Sequence, residues 1–425
     1  PTSPEILFIR YRRWLPVIGG KMESREYDVA IVGGGIIGLS TAMHLTSRFP
    51  SWRVAVLEKE KELATHQTGH NSGVIHSGIY YRPGSHKARF CVAGVQKLLR
   101  FCDENEIEYE QCGKVIVATE ESELGRLETL YERGVANGVV GLEMVGPERL
   151  KEIEPHAAGV KALWSPQTGI ANYGKVSQTY AMRFQEAGGD IFNEAPVQTI
   201  DRAGGSLALA TPKGTVQAKH IINCAGLYAD QVAGMTEDRV DVRIIPFRGE
   251  YFTLRPERRH LVSGLIYPVP NPRFPFLGVH YTRNITGSVE AGPNAVLALS
   301  REGYRKRDID IGETWSSLSY PGFWKMALKN WKIGLSEVRR SYSKGVFLRD
   351  LQRLLPEIQE TDLAPGGSGV RAQAVARDGS LLDDFNIIRG REAVHVLNAP
   401  SPGATSSLAI GEYIVDLAAE AFGAG

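Results

Sequence analysis

The chain has 425 residues, of which 43% are hydrophobic and 23% charged, the balance of a globular protein rather than a disordered, collagen-like or polytopic membrane one. Its 49 Lys+Arg against 48 Asp+Glu leave a net charge of +1, so no global field draws it onto nucleic acid, and nucleic acid is excluded as an expected partner. The length exceeds what one growing core usually holds, and two interleaved lobes are expected.

The first 24 residues carry Arg10, Arg12, Arg13 and Lys21 against Glu5 and Glu23. They read as the remainder of a basic targeting leader, as a basic extension, or, through Trp14 to Ile18, as a segment resting on a membrane surface. No uninterrupted apolar run reaches the roughly 18 residues that a membrane span needs. Tyr27 to Val32 is a β-branched run that ends in Gly33-Gly-Gly-Ile-Ile-Gly38 and continues as Leu39 to Leu45, which reads as strand, tight turn and helix. A second strand, Trp52 to Leu57, stops at Glu58 and completes a βαβ unit.

A polar loop rich in Gly, Ser, Thr, Asn and His follows from Thr65 to Gly84, longer than a simple connection requires. Helical patterns at 88–105 and 121–137 flank the strand Lys114 to Ala118, and another helix is predicted over 175–187. The clearest later strand is Ala218 to Ala225. Residues 242–298 have the short alternating runs of an antiparallel sheet, 315–355 are helical and basic, and glycine-punctuated strands from Gly366 lead to a last helix over 406–421. Cys91, Cys102, Cys112 and Cys224 show neither a metal-ligand spacing nor a C-x-x-C pair and are expected to be reduced thiols; no metal site is expected.

Gly33, Gly35 and Gly38 stand in the G-x-G-x-x-G pattern between a strand and a helix, and Glu58 follows the second strand. The first glycine permits the turn, the second lets the backbone approach a pyrophosphate, the third allows close packing, and Glu58 would accept hydrogen bonds from ribose hydroxyls. The pattern alone does not separate NAD from FAD. Nucleophile elbows, P-loops and zincin motifs are absent from the sequence, so hydrolase and kinase readings have no support.

Five longer runs, His66 to Tyr81, Pro275 to His280, Gly292 to Ala295, Gly369 to Gln373 and Asn398 to Ser407, resemble the FAD-dependent family that contains D-amino-acid oxidase, glycine oxidase and glycerol-3-phosphate dehydrogenase. Within it, they are most similar to the branch that acts on L-2-hydroxyglutarate. The resemblance implies an α/β fold in which a discontinuous two-dinucleotide-binding, Rossmann-like FAD domain (25–105, 165–245 and 365–425) joins an α+β substrate domain with a mostly antiparallel sheet (106–164 and 246–364). It implies FAD as cofactor, with Gln67, Thr68, Asn71, Ser72 and Gly73 along the flavin, and Lys59, Val197, Ala225 and Gly226 lining the cofactor site. Gly403, Ala404, Thr405 and Ser406 would open the final helix beneath the ring.

Arg371 is the implied grip on the substrate carboxylate, because a guanidinium binds carboxylate bidentately and keeps its charge. Glutarate has a second carboxylate, for which Tyr80, Arg82, Arg248 and Tyr267 are candidates. Of ten histidines, His280 and His76 have the strongest context. His280 is the candidate base, and His76 a candidate for contact with, or covalent attachment to, the flavin. The implied reaction is hydride transfer from C2 of L-2-hydroxyglutarate to the flavin, with a quinone or electron carrier as acceptor. Mitochondrial location and peripheral contact with the inner membrane accompany that expectation. An amine or amino-acid oxidase using O₂ and a redox-silent flavoprotein are the alternatives.

Overall fold

A computed structural model describes residues 26–237, 240–271, 277–390 and 392–423. The basic N-terminal segment, with its leader or membrane-contact reading, lies outside the described residues, as do Pro275 and Phe276.

The opening strand, Glu26–Val32, is buried along nearly its whole length, as a parallel strand covered on both faces should be. It pairs in parallel with Val54–Leu57 on one side and Gly214–Asn223 on the other. Asp190–Phe192 adds a further parallel strand outside Val54–Leu57, and Ala393–Asn398 runs parallel to the end of Gly214–Asn223. A meander of Thr199–Ala203 and Ser206–Thr211 completes one edge, and Asn386–Arg389 pairs with Ala393–Asn398, making eight strands.

Helices Ile36–Arg48, His86–Glu104, Tyr173–Glu186 and Ser407–Phe422 cover one face, and their apolar residues share a core with the central strands. Leu39, Leu45, Ile410 and Ile414 are fully buried there. Each such side chain contributes about 1.5–3 kcal/mol of burial. The first helix begins without a side-chain cap at Gly35, which leaves its amide end turned to the cleft described below.

A second sheet of nine strands is antiparallel except where Leu265–Pro268 runs parallel to Lys114–Ala118. Its longest pairing joins Val242–Leu254 to Leu363–Ala376. A three-stranded ribbon, in which Val74–Ile75 and Tyr109–Glu110 flank Gly169–Ala171, lies between the two. The α/β class, the dinucleotide-binding sheet and the mostly antiparallel second sheet are thus as expected.

The junction is fixed by a buried ion pair. Arg301, after the strand Val296–Leu297, donates to both carboxylate oxygens of Asp230 at 2.6 and 3.0 Å, and Asp230 also accepts from the amide of Ile244. The fourfold helical stretch is Ile311–Leu318, Pro321–Lys329, Trp331–Tyr342 and Lys344–Gln352. Residues 165, 245 and 365, where the sequence places boundaries between the two lobes, fall within the strands Lys161–Ser165, Val242–Leu254 and Leu363–Ala376 of the antiparallel sheet. The last of these contains the glycine-punctuated run from Gly366 that the sequence marks as strand, with Gly366, Gly367 and Gly369 interrupting its side-chain alternation.

Candidate active site and cofactor cleft

A cleft of about 1390 Å³ runs from the Gly33 turn to the face of the second sheet. At its first end, the amide of Gly33 bonds Leu57 O and the amide of Cys224 bonds Val32 O, so three parallel strands deliver their carboxyl ends to one place. Gly33 has φ +111°, and a Cβ there would lie 2.4 Å from Cys224 O. A Cβ on Gly38 would lie 2.0 Å from Gly33 O, so helix and turn pack at a distance only glycine allows. Gly38 accordingly supports the turn from behind and does not line the cleft.

Glu58 accepts from the amides of Gly34 (2.7 Å) and Glu60 (2.9 Å), one on each carboxylate oxygen. A carboxylate has about four acceptor positions, so two remain for ribose hydroxyls. Thr68 Oγ1 accepts from the amide of Ile36, the first residue of the helix, at 3.1 Å. Lys59 also lines the cleft, where its ammonium is held by Glu60, Glu302 and His66. Glu60, His66 and Glu302 come close enough together to hold a cation. The ammonium of Lys59 bonds all three of them, so the positive charge at this spot is the lysine's own.

Gln67, Asn71, Ser72, Val197, Ala225 and Gly226 line the middle of the cleft. Asn71 also shapes its loop: its side-chain amide donates to Thr68 O at 2.6 Å and its oxygen accepts from Gly73 N at 2.8 Å. Gly73 itself is turned toward the ribbon, accepting from Ala171 N, and is not a lining residue. From the other side come Gly403, Ala404 and Thr405. Thr405 is a buried hub whose hydroxyl accepts from the amide of His76 (3.1 Å) and contacts Tyr173 OH (2.9 Å). Ser406 is fully buried behind this wall.

His76, Tyr80, Tyr267, His280 and Arg371 converge at the far end, and Arg82 stands exposed at its mouth. The rings of Tyr267 and His280 stack with centroids 3.9 Å apart. His280 Nδ1 lies 2.9 Å from Gly278 O, a carbonyl that can only accept. The proton is therefore on Nδ1, and Nε2 is left with its lone pair. Burial, with the charges of Arg371 and Lys114, pulls the His280 imidazole down to about 4, so it is neutral at pH 7. Burial first, then Lys114 and His280, pulls His76 down to about 3. Arg371 hydrogen-bonds Tyr251, whose hydroxyl burial pushes up while the guanidinium opposes the shift.

Arg248, a candidate for the second carboxylate, is instead 6% exposed and outside the cleft. It donates to Glu250 and to the carbonyls of Gly303 and Arg305, which account for its guanidinium. Sequence reasoning missed Tyr251 and Gln373, both of which line the cleft, and Lys114, which lies directly behind Tyr80 and Tyr267. Tyr251 had a signal, since it sits two residues from Gly249 on a strand facing Arg371, but one sequence does not show which face is covered.

The cleft fits a dinucleotide at one end and a small acid at the other. The Gly33–Gly35 backbone is open, the helix amides and Glu58 retain bonding capacity, and the volume exceeds the range of about 300–1,000 Å³ for ordinary small-molecule pockets.

The FAD dependent oxidoreductase family (DAO) matches residues 28–417 of the chain. An L-2-hydroxyglutarate dehydrogenase of Indibacter alkaliphilus is 51% identical over 398 residues, 93% of this chain and 100% of that one. The mitochondrial L-2-hydroxyglutarate dehydrogenase of Homo sapiens is 45% identical over 420 residues, covering 94% and 91%. Among solved structures, the FAD-bound L-alpha-glycerophosphate oxidase of Mycoplasma pneumoniae superposes with a TM-score of 0.75 at 24% identity, over 92% of this chain and 94% of that one. Glycine oxidase of Geobacillus kaustophilus gives 0.68 at 18%, over 93% and 95%. These two likenesses bear on the fold alone.

Proposed function

The chain belongs to the FAD-dependent oxidoreductase family, and we propose that within it the protein oxidises L-2-hydroxyglutarate to 2-oxoglutarate. The observation that carries this reading is the convergence of Arg371, Tyr267 and His280 at one end of a cleft whose other end is the Gly33–Glu58 dinucleotide turn. The substrate named for the similar dehydrogenases supports it.

Arg371, held by Tyr251, grips the C1 carboxylate and fixes the face that C2 presents. His280 Nε2 accepts the hydroxyl proton while Gly278 O keeps the ring oriented through Nδ1. The FAD supplies the two-electron acceptor for the hydrogen leaving C2. Gly33, Gly35, Glu58, Thr68 and the 403–405 turn hold it, with Ser406 and Gly38 packing behind. Gly38→Ala is expected to yield folded protein largely stripped of its visible flavin absorbance, because a Cβ 2.0 Å from Gly33 O forces the turn open. Retention of a full complement of FAD would remove the turn from the cofactor site. Turnover with a dye acceptor, run on L-2-hydroxyglutarate, glycine and sarcosine together with a peroxide assay, tests the substrate reading. Oxidation of the amines with peroxide release would overturn it.

The electrons pass to a quinone or a carrier, and the surface supports a membrane as the meeting place. Twelve large apolar side chains are exposed among the described residues, and nine of them fall between Ile309 and Tyr342. Trp315 is 70% and Leu328 71% exposed; Trp324 shares the helix of Leu328, and Trp331 and Leu335 stand on the next one, Trp331–Tyr342. Exposed Lys325, Lys329, Lys332 and Arg339 surround them, while Glu337 is buried against Arg340. Apolar and tryptophan side chains set among basic ones suit the interface of an anionic bilayer. No described helix is long and apolar enough to cross it. Trp315→Ser/Trp331→Ser/Leu335→Ser is expected to lower flotation with cardiolipin-containing vesicles at least tenfold while dye-linked turnover in solution is unchanged. Undiminished flotation would contradict this surface. Mitochondrial location is proposed with it, in line with the names of the animal relatives.

A further inference from the structure

Lys114 begins the strand Lys114–Ala118 and is 1% exposed. Its ammonium lies 4.6 Å from the centroid of the Tyr80 ring and 5.2 Å from that of Tyr267. Among the described residues no carboxylate or carbonyl accepts from it, and the remaining groups that face it are Cys91, His76 and His280. A cation taken out of water without a counter-charge is strongly destabilising, even with two ring faces beside it. Two further buried polar atoms at the same end of the cleft also lack partners: Tyr80 OH and His76 Nδ1. Three donors or titratable groups thus crowd one place with nothing to accept from them. An anion in the cleft beside Tyr80 would accept from its hydroxyl and balance the Lys114 charge behind the ring.

Arg371 accounts for one carboxylate of a 2-hydroxy dicarboxylic acid and leaves the other unmatched. We infer that Tyr80 and Lys114 form the subsite for the substrate carboxylate remote from the reacting carbon, Tyr80 donating its hydroxyl and Lys114 supplying the balancing positive charge from behind the ring. Lys114 is in this account the specificity-determining residue that makes the site select a dicarboxylate. The inference rests on the proposed substrate class, not on a particular electron acceptor.

Burial gives Lys114 a titration distinct from that of the groups facing it. Burial pulls the ammonium down to about 7, whereas His76 and His280 are pulled to about 3 and 4, Cys91 is pushed up to about 12, and Tyr80 and Tyr267 are pushed well above their usual range. Near neutrality only Lys114 changes charge within this cluster. A dianion binds the protonated form, so affinity is full below pH 7 and falls as pH rises through it, and binding near pH 7.5 draws in a proton.

The test is calorimetry on the holoenzyme with two 2-oxo acids of equal chain length, the product 2-oxoglutarate and the monocarboxylate 2-oxovalerate, for wild type, Lys114→Met and Lys114→Arg. Wild type should prefer the dicarboxylate and take up a fraction of a proton per site at pH 7.5, read from titrations in buffers of different ionisation enthalpy. Lys114→Met should lose about 10- to 100-fold in 2-oxoglutarate affinity, with 2-oxovalerate unchanged, no proton uptake and a flat pH profile. Lys114→Arg should keep the preference without the pH dependence. Equal losses for both ligands, or intact preference and proton uptake in Lys114→Met, would overturn the inference. A wild type that does not favour the dicarboxylate at all would instead overturn the substrate reading beneath it. Since Met occupies a buried site more readily than an ammonium does, the variant is expected to fold.

Discussion

Arg371→Ala is expected to raise the KM for L-2-hydroxyglutarate by about 100-fold or more, because truncating one member of a desolvated charge pair typically costs 2–5 kcal/mol. The loss should fall on KM and on kcat together, since Arg371 both binds the acid and sets the face presented by C2. FAD should remain bound, because Arg371 stands on the strand Leu363–Ala376 of the antiparallel sheet, away from the Gly33 turn. Stopped-flow and steady-state kinetics check the first part, and the visible spectrum of the purified variant checks the second. Arg371→Lys should recover little, because a point charge cannot reproduce the bidentate geometry.

His280→Ala is expected to slow substrate oxidation by about 10²- to 10⁴-fold, the usual contribution of a positioned base, with a much smaller change in KM. The pH profile separates this from a packing defect in the Tyr267 stack. The His280 imidazole is pulled down to about 4, so kcat/KM of the wild type should hold on the acidic side until about pH 4 rather than bend near 6.5. A group with a lowered pKa keeps its neutral form above that value, and the base is lost only below it. The variant should lose this acid limb. His280→Phe, which keeps the stack on Tyr267, should be as slow as His280→Ala if the ring nitrogen does the chemistry.

Much of the fold is legible in the sequence because local pattern and tertiary position agree. The run Val29 to Val32 is apolar on both faces and becomes the core of a central parallel strand, and the glycines at 33 and 38 stand where no Cβ fits. The strand Leu363–Ala376 is legible from Gly366 onward but not at its start, since its glycines weaken the two-residue period. At the far end of the cleft, sequence context singles out His280 as the candidate base and His76 as a candidate flavin contact. The structure adds what the sequence does not carry: Gly278 O fixes the His280 tautomer, and His76 Nδ1 has no partner among the described residues.

Arg248 illustrates a different limit. Residues two apart on a strand share a face, and Glu250 takes the guanidinium before the cleft is reached. Lys114 reads as an ordinary strand start because lysine is usually solvated, and only the three-dimensional neighbourhood of Tyr80, Tyr267 and Cys91 shows that it is not. Burial is a property of what other segments cover, and no single run of residues encodes it.

Anaerobic mixing of the purified yellow protein with L-2-hydroxyglutarate, its D enantiomer, glycerol 3-phosphate and sarcosine, followed at the visible flavin band, separates the proposed substrate from its rivals. Rapid bleaching by the L acid alone is the predicted result, fixing reaction class, substrate and stereochemistry at once. Bleaching by sarcosine, or by none of the four, would contradict it.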